Sequence, residues 1–105
     1  GKYVYEQLQS GMLGKYDNEW GPVQTRYMYE GYQEFCQQTG VRFKMAPQEF
    51  GKQLKRYLPE IQKRKMTIKE GYDNGERRHH YIFSPLEECR KQFEQQVKME
   101  IDWDE

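Results

Sequence analysis

Residues 46 to 83 leave this chain little freedom, because two prolines bracket a short amphipathic run and the stretch after it doubles back around an Asn-Gly step. Pro47 fits the first turn of a helix, where its missing N–H costs nothing, and Pro59 stops the same helix about three turns later. Between them Phe50, Leu54, Tyr57 and Leu58 recur at i, i+4, i+7 and i+8, one apolar stripe at the helical period. Gln48, Lys52, Lys55 and Arg56 lie opposite that stripe. Next come EIQKRKMTIK and RRHHYIF, on either side of Asp73-Asn74-Gly75, whose Asn-Gly step accepts the positive φ of a hairpin. A basic helix followed by a basic hairpin is the outline of a winged helix-turn-helix.

At 105 residues the chain has room for one modest core. Apolar residues are 35% of it, so the nine Tyr, five Phe and two Trp must supply much of the buried area. Most of the tyrosines are therefore expected to pack in the core. The net charge is zero but unevenly spread: Lys52 to Arg78 holds nine Lys and Arg against four acids, and Ser84 to Glu105 three against seven. That asymmetry concentrates positive potential on one part of the fold and suggests an anionic partner there.

The remaining segments are expected to support this unit. Val4, Leu8 and Met12 share helical spacing, which predicts a first helix over residues 2 to 13, and residues 14 to 21 have loop chemistry. Trp20, Pro22 and Val23 predict a short extended piece that could add a third strand beside the hairpin. Thr25 is the expected N-cap of a helix that buries Met28, Tyr32, Phe35 and Cys36 and stops at Gly40, with Gly31 costing stability unless close packing requires it. A short connection then leads into the Pro47 helix. Ser84, Pro85 and Glu87 read as N-cap, first helical residue and capping-box partner of a last helix over 84–98, which buries Leu86, Cys89, Phe93 and Val97. Residues 99–105 form an acidic tail. The fold class expected is α+β: a single winged-helix domain over 1–105, with about four helices and a two- or three-stranded antiparallel wing.

Several chemistries find no support. Cys36 and Cys89 fall on apolar helix faces and read as buried free thiols, which favours a reducing, cytoplasmic compartment. His79 and His80 are adjacent in an expected strand and point to opposite faces, so they cannot chelate one ion. No metal, cofactor or small-molecule substrate is expected. No phosphate-cradling GxxxxGK[ST] run occurs, the acids are scattered, and no membrane span or signal peptide is visible. The chain opens on Gly1, which suggests a piece of something longer. This domain is not expected to be an enzyme.

The segments WGPVQTRYMYEGYQEFCQQTGV, APQEFGKQLKRYLP and YIFSPLEECRKQFE together resemble the small C-terminal domain that follows the superfamily 3 helicase module in phage and plasmid primase-helicases and primase-polymerases. The resemblance runs from about Trp20 to Trp103. It implies a winged-helix accessory domain of a replication protein in a phage-infected or plasmid-bearing cell, working beside helicase and primase domains of the same parent chain. The partner expected is DNA, single-stranded, double-stranded or forked. Gln48 and Lys52 would touch base edges, and Lys55 and Arg56 would grip phosphate. Lys63, Lys65, Lys69, Arg77 and Arg78 would follow the backbone along the wing. The alternative is a protein-docking module that uses the last helix and tail through Ile101 and Trp103.

Overall fold

The structure is a computed structural model that describes residues 1–104. Its elements run α1 (Lys2–Ser10), β1 (Met12–Leu13), β2 (Asn18–Glu19), β3 (Val23–Gln24), α2 (Thr25–Thr39), α3 (Pro47–Tyr57), β4 (Gln62–Thr67), β5 (Arg77–Ile82) and α4 (Leu86–Val97). The described residues form two antiparallel sheets. One is the small β1–β2 pair, and the other has three strands in the order β3-β5-β4. The short extended piece at Val23 is thus the third strand, paired Val23 to Tyr81 and Gln24 to His80.

The first helix is shorter than its apolar spacing suggests. Gly11 adopts the left-handed conformation at φ 72°, which ends α1, and Met12 and Leu13 then pair with Glu19 and Asn18. Met12 is left 45% exposed, while Leu13 takes the core position. The Gly14 N–H donates to the buried Gln7 side chain at 2.6 Å, which ties the β1–β2 turn back onto α1.

Two helix starts also differ from expectation. Thr25 is the first residue of α2 rather than its cap; Gln24 holds the cap position, and no side chain caps the turn. At α4 the cap is Pro85, not Ser84, again without a side-chain cap bond. The Ser84 hydroxyl accepts instead from the Gln92 side-chain amide at 3.4 Å, while its carbonyl accepts from the Trp20 indole N–H at 2.8 Å and from the Cys89 thiol at 3.2 Å.

The core is aromatic. Tyr32 stacks on Phe50 with centroids 4.9 Å apart, and Tyr3 and Tyr29 pack around the same ring. Each such pair adds about 0.5–1.5 kcal/mol beyond the area it buries. This cluster holds α3 against α1 and α2 through Phe50 and Leu54, the buried residues of its apolar stripe. Helix α4 packs on α1 and α3, and Arg90 donates to the Leu8 and Gln9 carbonyls at 3.0 and 3.4 Å, satisfying the open end of α1.

The hairpin turns through a wider loop than a tight Asn-Gly step. The Ile68 N–H donates to the Glu76 carbonyl at 2.7 Å and the Gly75 N–H to the Ile68 carbonyl at 2.8 Å. Positive φ falls on Gly71 (89°) and Gly75 (91°), and Asn74 does not need it. Tyr81 is buried with Phe83 against the helices, which assigns the core face of the sheet, and Ile82 lies on the other side.

Candidate nucleic-acid interface

The amphipathic run of α3 fixes which of its side chains can meet a partner. Because Phe50 and Leu54 face the core, Gln48, Lys52 and Lys55 are left exposed on the outer face, one above another. Gly51 lies between them and Tyr81, whose hydroxyl would sit 3.2 Å from a Cβ at that position. That close approach brings the sheet alongside the helix. A cleft of about 660 Å³ separates the two, with Gln48, Lys52 and Lys55 on one wall and Lys63 and Tyr81 on the other. The Lys55 ammonium reaches across to the Ile61 carbonyl at 3.2 Å.

Sheet register sorts the wing residues. Lys63 is paired with Tyr81, Lys65 with His79 and Thr67 with Arg77, so these six share the face that looks toward α3. Lys63, Lys65 and Arg77 therefore extend the cationic face of α3 along the hairpin. Arg77 is held there by a bond to the Lys65 carbonyl at 3.3 Å. Arg78 pairs with Met66 on the opposite face and is bound to Glu76 at 2.7 Å. Lys69 is exposed in the loop beyond the strands.

Arg56 stands apart. It is exposed on the flank of α3 nearest the chain's amino terminus, whose ammonium is pushed below its usual range by burial and by the Arg56 charge. Of the nine DNA-contact residues expected from sequence, the structure thus gathers Gln48, Lys52, Lys55, Lys63, Lys65 and Arg77. It separates Arg56, Arg78 and Lys69.

Four cationic positions escaped the sequence-based reading. Arg64 stands at the edge of the cleft, its guanidinium bound to Gln62 on the face that Arg78 shares, and the run Lys63-Arg64-Lys65 could have marked it. Arg26, at the start of α2, binds Asp73 of the hairpin loop at 3.2 Å, a pairing that no local pattern reveals. Arg42 and Lys44 are exposed on the connection between α2 and α3, on either side of Phe43. The two histidines separate as strand geometry requires: His79 is exposed, while His80 is buried with its Nδ1 2.9 Å from the Arg78 carbonyl. Among the described residues no group of three His, Cys, Asp or Glu side chains lies close enough to hold a metal ion, and no helix is long and apolar enough to cross a membrane.

The tail does not present an exposed aromatic. Trp103 folds back onto Tyr5 and Phe93, with centroids 5.6 and 6.1 Å away, and the Arg90 guanidinium lies 5.3 Å from its ring. The Ile101 N–H donates to Glu94 at 2.8 Å. Both residues expected to anchor a partner are half-buried and pack against the domain's own core.

Fold and face together define the class, a small α+β domain that turns a cationic helix and hairpin to one side. The chain belongs to the poxvirus D5 protein-like family, whose model matches residues 3–101. The match carries the resemblance seen in the sequence as far as a D5-like replication domain. No curated protein and no solved structure matches the chain.

Proposed function

We propose that this chain is a winged-helix module of a D5-like replication protein, and that it binds DNA through α3 and the β4–β5 hairpin. The observation that carries the reading is the shared face: Lys52 and Lys55 on the helix and Lys63, Lys65 and Arg77 on the sheet line one side of the molecule. None of the five pairs with a carboxylate among the described residues. The element order supports the winged-helix assignment, since a strand before α2 pairs beside the far strand of the hairpin that follows α3. Gln48, near the N-terminal end of α3, is the side chain best placed to touch a base edge, and the cations would hold phosphate. On this reading the module leaves catalysis to helicase or primase domains of the same parent chain.

With about five phosphates neutralised, log K should fall against log salt with a slope of about −4 to −5 on duplex DNA. Fluorescence anisotropy with single-stranded, double-stranded and forked DNA at two salt concentrations measures this directly. The K52A/K55A/K63A variant should lose most of its affinity and flatten the slope by about 2 to 3, because each Lys accounts for about one released counterion. R56A should change little. Wild-type affinity in the triple variant would exclude the cleft as the binding face.

A further inference from the structure

The connection between α2 and α3 is held at both ends and free in the middle. At its start the Val41 N–H donates to the Cys36 carbonyl at 2.9 Å. At its end Met45 is clamped twice: the Tyr29 hydroxyl donates to its carbonyl at 2.7 Å, and its N–H donates to the Tyr32 hydroxyl at 2.9 Å. Between these anchors Arg42, Phe43 and Lys44 project, and Phe43 is 90% exposed. A ring so displayed gains nothing for the fold, and the backbone on either side of it is anchored by these bonds. Neither flanking cation meets a carboxylate among the described residues. The other ring with comparable exposure, Tyr72 at 94%, lies beside the Arg26 guanidinium, which is already committed to Asp73.

We infer that Arg42, Phe43 and Lys44 form a stacking site for an unpaired base of single-stranded DNA, with Phe43 under the base and the two cations on its flanking phosphates. The chemistry fits because every base offers a π-face to an aromatic ring, and the strand's charge demands cations beside it. The connection leads in sequence into Pro47 and Gln48, which line the cleft, while its flanking Val41 and Met45 line a separate hollow with Gln53 and Tyr57. The inference rests on the DNA-binding reading for the class of partner, but on different residues.

The test is anisotropy of the whole chain with a labelled oligothymidylate and with a duplex of equal length. F43A should weaken oligothymidylate binding about tenfold and leave duplex binding unchanged, as loss of one stacked base predicts. Phe43 makes no core contact that truncation would remove, and F43W supplies a second readout: its indole fluorescence should be quenched on adding oligothymidylate. R42A/K44A should lower the salt slope on the same probe by about 1 to 2. If K52A/K55A/K63A abolishes duplex binding while F43A still selectively weakens oligothymidylate, both readings stand. If the triple variant leaves duplex binding intact while F43A still weakens oligothymidylate, the cleft reading falls and this one survives. Unchanged oligothymidylate affinity in F43A, or no binding by the wild type, overturns it. So does concentration-dependent self-association that F43A abolishes, which would make Phe43 a protein contact.

Discussion

Gly31 has no room for a methyl group. A Cβ there would press on the Tyr3 hydroxyl and come within 2.9 Å of the Lys15 nitrogen and 3.0 Å of the Gly14 carbonyl carbon. The two backbone atoms belong to a turn that is itself held to α2, because the Lys15 N–H donates to the Tyr27 carbonyl at 3.1 Å. Neither can retreat cheaply. Ala would ordinarily improve a helix interior by about 1 kcal/mol over Gly, but here the overlap costs more. G31A should therefore destabilise the domain by about 1–3 kcal/mol in urea denaturation, and a stabilised variant would show that the turn can move. The sequence marked Gly31 as a cost that only close packing explains. It could not say what packs there, because the turn arrives from a segment whose strand pairing has no periodic signal.

The hairpin shows how one buried charge can position an element. The Asp73 side chain is 8% exposed and its partner Arg26 is 40% exposed, so the two halves of their 3.2 Å pair are unequal. Removing the guanidinium strands a carboxylate that has already lost its water; removing the carboxylate only frees an arginine. R26A should cost about 1–3 kcal/mol and D73N less. Amide exchange should localise the R26A effect to the loop bonds of Ile68 and Gly75, and uniform loosening of the chain would argue against a pinned hairpin. The helices and the three-stranded sheet were legible because their stripes, prolines and Gly40 act locally. Their ends were less so: Ser84 looks like a cap from its neighbours, but its hydroxyl meets the Gln92 amide and the distant Trp20 indole takes its carbonyl. The surroundings of Trp103 were hidden for a related reason. Acids surround it in sequence, and only the folded chain places Tyr5, Phe93 and Arg90 against it.

Over the whole molecule, opposite charge and buried acids pull on different properties. The cationic cleft could be anticipated in outline from the charge spread, but its membership depends on register, which excludes Arg78, and on helix angle, which sets Arg56 aside. Stability against alkali depends on buried thiol and phenol groups. Burial pushes the Cys89 thiol from 9.0 up to about 11. Tyr81 is also raised by burial, and so is Tyr3, with the carboxylates of Glu6, Glu34 and Asp17 adding to the effect. All three groups are neutral when folded and ionise earlier in the unfolded chain. Below about pH 9 both states keep their protons, and the full stability is present. Above that, the unfolded chain releases protons that the folded chain retains, so stability falls, with the Cys89 contribution declining until the pH passes about 11. Cys89 alone should account for roughly 2–3 kcal/mol across that interval. Urea midpoints measured from about pH 8 to about pH 10.5 should therefore decline, and C89A, although less stable at the lower pH, should decline less steeply. A flat profile would mean that thiol and phenols ionise in place, which the closed packing around Cys89, whose Sγ donates to the Ser84 carbonyl at 3.2 Å, does not permit.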